Sequence, residues 1–509
     1  MTMTEIIDKI LLYIMHAFDA VSQHSQLFAY NEHEPMMFST GLFVILFAIF
    51  YAIYGCMQRT TTLRLAFVTC FSYYFYYKSS GYYFALLAAV TLSDYLIARQ
   101  MNLCQSPKAR RWLVALSTTI NLSLLGFFKY TNFFAQLIAD ARGLHFEAFD
   151  IFLPVGISFF TFQSMSYTID VYRRRIEPLH NLLDYAFYVS FFPQLVAGPI
   201  VRARDFLPQI RQPLCVTRSM LGTGFYYIVC GVIKKIVISD YISVNFVERI
   251  FDNPSLYTGF ENLMGVYGYA LQIYCDFSGY SDMAIGLALL LGFRFNINFN
   301  SPYQSASITE FWRRWHISLS SWLKDYLYIS LGGNRKGSVR RHINIIITML
   351  LGGLWHGASL NFVVWGLLHG VALSFHKMWM TITGINATAK HANKWLRALC
   401  ILLTFHFVCF CWIFFRNTDF SGSEAMIRQI ATDFHPDVAV QWAVGYWQVL
   451  LLILLGYALH FIPTYIKSML RRKAALLPLW AYVIMLVATV IVVVQFKSAD
   501  VQPFIYFQF

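Results

Sequence analysis

The 509-residue chain is 58% hydrophobic and only 13% charged, about half the charge share of a soluble protein. Its apolar runs recur from Phe38 to Phe496 and are continuous rather than alternating, which indicates a polytopic membrane protein and excludes a β-barrel. The net charge of +13 belongs, in such a protein, to loops facing anionic lipid, so no nucleic-acid partner is expected.

At the N-terminus, Met1 to Lys9 carry Glu5 and Asp8 without a basic region, so no cleavable signal is expected. Residues 5–20 place Ile6, Ile10, Tyr13, Ile14, Ala17 and Phe18 on one face, the pattern of an interfacial helix. Fourteen candidate spans follow, at 39–56, 63–77, 82–98, 112–134, 152–171, 184–200, 219–239, 260–275, 280–294, 343–355, 358–376, 397–415, 443–465 and 478–496. Basic loops at 99–111 and 202–218, the stretch 313–341 and the cluster Lys467 to Lys473 are expected in the cytoplasm; loops 140–150 and 417–438 lean acidic and are expected outside. Segment 184–200 has basic loops at both ends and reads as re-entrant. The pair 343–355 and 358–376 likewise reads as a hairpin that goes in and returns. The nine cysteines form no C-x-x-C pair and read as small buried hydrophobes.

Three stretches carry chemistry. Tyr274 to Asp282 interrupts an apolar run with two carboxylates, two serines and a glycine, and reads as a broken helix lining a polar cavity. Asp276 and Asp282 are each placed to orient a histidine, bind substrate or cap a helix end, with the cap the first reading for Asp282. Further on, Ser307 to Glu310 fits a capping box that opens a helix running to about Ile329. On that helix His316 sits one turn below Trp312, beside the stripe Phe311, Trp315, Leu319 and Trp322. Periodicity alone points first to an interfacial helix with a satisfied histidine. The third stretch, Leu351 to Ala358, sets His356 between Trp355 and Gly357 at a helix junction in an apolar region. Segment 343–355 is short of a full span, so a hairpin tip there puts His356 within the bilayer's depth. Intramembrane ionisable groups are functional candidates; a neutral histidine bonded to a carbonyl is the competing reading. His369 and His406, inside spans, read as packed and hydrogen-bonded.

Five runs resemble the membrane-bound O-acyltransferase family, in its bacterial branch that modifies alginate and teichoic acid. They are Phe192 to Ile200, Asp276 to Asp282, Phe299 to Tyr303, Glu310 to Ser320, and Leu354 to Gly357. The resemblance runs from about residue 40 to the C-terminus. It implies an all-α fold, a ring of tilted transmembrane helices around a thinned centre with re-entrant segments. It also implies a single membrane-embedded domain over 1–509, with residues 1–35 interfacial and 296–376 the catalytic segment. His356 matches the family's principal catalytic histidine and His316 its second polar position.

The implied reaction moves an acyl group, with acetyl favoured, from a cytoplasmic thioester donor to a hydroxyl of an extracytoplasmic polysaccharide or carrier protein. Neutral histidine is a competent general base near pH 7, so His356 takes the hydroxyl proton and His316 positions donor or imidazole. Trp312, Trp315, Trp355, Asp276, Tyr280, Arg335 and Lys336 are the candidates to line the donor or substrate path. Trp312 or the Gly353 backbone is a candidate oxyanion stabiliser. No metal and no bound cofactor are expected; acetyl-CoA is the expected donor, an acyl-carrier protein the alternative. Expected partners are membrane lipid, an extracytoplasmic SGNH-type acetyltransferase and a polysaccharide synthase complex, in a bacterial inner membrane. The alternatives are D-alanyl transfer from a carrier protein, and a secondary transporter or flippase without acyl chemistry.

Overall fold

The computed structural model describes residues 29–31, 35–57, 59–384 and 393–496. The interfacial helix expected over residues 5–20 lies outside them. Among the described residues 79% are helical and no strand occurs. Among the described residues, five helices are long and apolar enough to cross a membrane. A sixth span would be the pair Pro436–Gly445 and Trp447–Phe461, bent by 97°.

Of the fourteen expected spans, at most six pass as single membrane-crossing helices by length and composition among the described residues. Run 152–171 shows why. It forms a helix of only 16 residues, Ile157–Tyr172, and nearly all its side chains are buried, so its apolar character serves protein contacts rather than lipid. Run 184–200 forms two short helices, Leu182–Ser190 and Phe192–Leu195, far below the roughly 20 residues a span needs. Among the cysteines, Cys275, Cys409 and Cys411 are buried as expected, but Cys56, Cys70 and Cys215 are exposed.

The chain divides into two compact units. The first comprises Met1–Val232, Tyr280–Asn296 and Lys473–Gln495; the second comprises Ile233–Gly279, Ile297–Arg472 and Phe496–Phe509. The first unit is built on α1 (Gly41–Cys56), α2 (Thr61–Ser80), α3 (Phe84–Leu103), α4 (Pro107–Arg142) and α5 (Ile157–Tyr172). Buried Asp94 on α3 ties three of them together. Its oxygens accept from Ser117 Oγ at 2.7 Å and Asn121 Nδ2 at 2.8 Å on α4, and from Ser164 Oγ on α5. A buried carboxylate is tolerated only when donors surround it in this way.

The second unit begins with two π-helical segments, Ile233–Asp240 and Ser243–Val247, and includes most of α6 (Gly259–Leu290). Helix α6 is continuous for 32 residues through Tyr274 to Asp282, which corrects the expected break. Asp276 is instead held in an ion pair. Lys235 Nζ bonds Asp276 Oδ1 at 2.6 Å and Asp240 Oδ1 at 2.9 Å, with Lys235 and Asp276 both buried. Asp282 lies inside the helix, so it is not a cap. Further elements of this unit position His316, His356, His369 and His406: α7 (Ile308–Arg314), α8 (Ile317–Trp322), α9 (Gly337–His356), α10 (Leu360–Thr383) and α11 (Lys394–Arg416).

Candidate active site

Helices α9 and α10 form the expected hairpin, joined by the three residues 357–359. Small residues let the two backbones touch. A Cβ at Gly353 would collide with the Phe362 carbonyl oxygen, and one at Gly366 with the Met349 carbonyl oxygen. Helix α9 starts six residues earlier than expected, at Gly337, and its 20 residues span about 30 Å. Ser359 caps α10 by accepting from Asn361 N at 3.2 Å. Asn361 Nδ2 in turn donates to the carbonyls of Asn417 and Asp419, at 2.9 and 2.7 Å. The tip is therefore tied down, and His356 is the last residue before it.

His356 is 4% exposed and sits among aromatic rings. Its ring centroid lies 5.0 Å from Trp355, 5.1 Å from Trp365, 5.0 Å from Phe415 and 6.5 Å from Phe362. Water is excluded on these sides, which strengthens any polar interaction made there.

His316 departs from the expected geometry. The helix expected from Ile308 to Ile329 is broken at Trp315 and His316, and its last turns, Leu323–Tyr328, are π-helical. His316 has φ 41° and ψ 57°, the left-handed region, which costs a non-glycine residue about 1–2 kcal/mol. Three hydrogen bonds hold the break. Ile317 N donates to Asn298 O at 2.9 Å, Ser318 N to Asn298 Oδ1 at 3.1 Å, and Asn300 N to Arg314 O at 2.9 Å. His316 caps α8 itself: its Nδ1 accepts from Leu319 N at 3.4 Å. Accepting there leaves the ring proton on Nε2. The capping box upstream forms as expected, with Glu310 N donating to Ser307 Oγ at 3.2 Å, but the Glu310 carboxylate takes the N–H of Ala306 rather than that of Ser307.

The indoles expected to line the path are all buried. Of these, Trp315 joins Phe299, Trp412 and Trp365 in linking the two histidines ring by ring. His316 lies 5.8 Å from Phe299, Phe299 5.1 Å from Trp315, Trp315 5.0 Å from Trp412, Trp412 6.1 Å from Trp365, and Trp365 meets His356. Trp312 instead donates from Nε1 to Nδ1 of His369 at 3.3 Å, so it is engaged and is not the oxyanion donor. Gly353, inside α9, has its N–H committed to the helix ladder. Asp276 is bound to Lys235. Tyr280 lies in the first unit, stacked on Phe38 at 4.7 Å. Arg335 and Lys336 are exposed just before α9, about 30 Å along the helix from His356. His406 bonds Tyr267 Oη and the Leu402 carbonyl oxygen.

Sequence reading missed Trp365, Phe362 and Phe415 around His356, and Asn298 behind His316. The first two were legible: Phe362, Trp365, His369 and Leu373 recur at helical spacing and form the buried face of α10. Phe415 and Asn298 come from distant segments and had no local signal.

A sequence model described as the membrane-bound O-acyltransferase family matches residues 171–416, a range that includes both histidines. A protein of Pseudomonas aeruginosa named as a probable alginate O-acetylase is 41% identical over 396 residues, covering 75% of this chain and 72% of that protein. The peptidoglycan O-acetyltransferase of Helicobacter pylori is 36% identical over 423 residues, 77% of this chain and 79% of that one. The teichoic acid D-alanyltransferase of Bacillus subtilis is 31% identical over 286 residues, 52% of this chain and 69% of that one.

Proposed function

We propose that this chain, which belongs to the membrane-bound O-acyltransferase family and is an O-acyltransferase, moves an acetyl group from a cytoplasmic thioester to a hydroxyl of an extracytoplasmic polysaccharide or carrier protein. The observation that carries the reading is His356 at the tip of a rigid hairpin, buried among aromatic rings. A neutral imidazole is suited to take a hydroxyl proton. The dry surroundings favour transfer to that hydroxyl over hydrolysis by water. Acetyl is preferred because the acetyl-transferring relatives are more similar over more of the chain than the D-alanyl-transferring one.

In this reading the hydroxyl oxygen attacks the thioester carbonyl carbon while His356 accepts its proton. The carbon–sulfur bond then breaks, and the imidazolium returns the proton to the departing sulfur. His316, held in a strained conformation by Asn298, positions the acyl donor or the imidazole of His356. Acetyl-CoA is the proposed donor, with a cytoplasmic approach past Arg335 and Lys336. A bacterial inner membrane is the proposed location, and an SGNH-type acetyltransferase and a polysaccharide synthase are the proposed partners.

The experiment is reconstitution in sealed vesicles of known orientation, with labelled acetyl-CoA given to one side at a time. The reading expects label on an outer-face acceptor only when the donor is on the side carrying residues 330–336. Equal transfer with donor confined to the opposite side would overturn it.

A further inference from the structure

Acyl transfer develops negative charge on the carbonyl oxygen of the thioester, and a donor must meet it. Neither donor expected from the sequence is free for this: Trp312 Nε1 is given to His369, and the Gly353 N–H is held inside α9. The surroundings of His356 hold another. Trp365 is 1% exposed, and its Nε1 has no hydrogen-bond partner among the described residues. An indole N–H is a donor only and nearly always finds an acceptor when buried. Leaving it unsatisfied is destabilising, so such a group in a folded protein calls for a reason.

The position of Trp365 supplies one. Its ring lies 5.1 Å from His356 at an interplanar angle of 80°. Phe415 at 5.3 Å, Trp412 at 6.1 Å, Trp312 at 5.7 Å and His369 at 4.7 Å pack around it. Gly366, the next residue, is pressed against the Met349 carbonyl oxygen, so the backbone that carries the indole has little room to shift. A fixed donor in a dry site, beside the general base, needs no reorganisation when charge appears.

We propose that Trp365 is a catalytic residue whose Nε1–H bonds the carbonyl oxygen of the acyl group and stabilises the oxyanion formed when the acceptor hydroxyl attacks. The Trp312–His369 pair is a positioning element: it packs against the indole and holds His369 as the Nε2–H tautomer. The proposal rests on the acyl-transfer reading with His356 as base. In the step, the new bond joins the hydroxyl oxygen to the carbonyl carbon, and the π electrons move onto the carbonyl oxygen facing Trp365. They return as the carbon–sulfur bond breaks, and the hydroxyl proton passes through His356 to the sulfur.

The test removes one N–H and nothing else. Trp365 is replaced by 3-benzothienylalanine, which keeps the bicyclic shape but has sulfur in place of N–H, in the full chain reconstituted in vesicles. Release of CoA thiol from acetyl-CoA is followed in the presence of an alginate oligosaccharide, alongside Trp365→Phe and His356→Ala. The expected result is a fall in kcat of roughly 100- to 1,000-fold for the isostere, with KM for acetyl-CoA within a few-fold of wild type and thermal stability unchanged. Trp365→Phe should fall at least as far. An isostere with wild-type kcat, while His356→Ala is inactive, overturns the oxyanion role and leaves the acyl-transfer reading standing. Wild-type turnover in both the isostere and His356→Ala overturns the two together.

Discussion

At the scale of single residues, His316 is held in a backbone conformation that side chains rarely adopt and uses its own imidazole to cap the helix that follows. Strain of this kind persists where surrounding contacts over-determine it, and it clusters at functional sites. The two roles separate in His316→Asn. Asparagine tolerates the left-handed region and caps helices well, so thermal stability should stay within about 1 kcal/mol of wild type, while acyl transfer should fall at least tenfold. Full transfer in that variant would reduce His316 to a structural cap. The residue itself was legible in the sequence, from its place beside Trp312 and Trp315. Its geometry was not, because Phe311, Trp315, Leu319 and Trp322 keep helical spacing across the break and are all buried. The break is specified by Asn298 and Asn300, which approach from outside the helix.

Among the elements, the α9–α10 hairpin depends on glycines at its contact. In Gly353→Val the added side chain meets the Phe362 carbonyl oxygen, and neither helix backbone can yield without losing ladder hydrogen bonds. The expected cost is about 1–3 kcal/mol or more, read as a lower melting temperature in detergent; Gly126→Val, where nothing lies within 4 Å of the added Cβ, is the control and should cost far less. The hairpin was readable because two apolar runs separated by a glycine-flanked histidine leave little other choice. Helix α6 was misread for the opposite reason. Its carboxylate at Asp276 looked like a break in sequence, but its partner Lys235 lies about forty residues upstream. Lys235→Met should leave buried Asp276 and half-buried Asp240 without their cation and destabilise the fold by about 3–5 kcal/mol. Unchanged stability in thermal unfolding would contradict that pairing.

For the whole molecule, class and composition were plain in the sequence: a helical membrane protein with basic loops. The number of spans was not, since burial against protein and burial in lipid leave the same apolar signature in runs such as 152–171. The proposed orientation rests on the basic residues before α9. In a background lacking the native cysteines, Lys336→Cys should react with an impermeant thiol reagent only from the cytoplasmic side, and labelling from outside would reverse the assignment. The central claim is that the imidazole of His356 performs acyl transfer. The most direct measurement is transfer of label from acetyl-CoA to an acceptor by wild type and His356→Gln, purified and reconstituted at equal folded amounts. The expected result is a loss of roughly 100- to 10,000-fold in kcat, the range for removing a general base, with the variant inserted and folded as the wild type. Wild-type turnover in His356→Gln would contradict it.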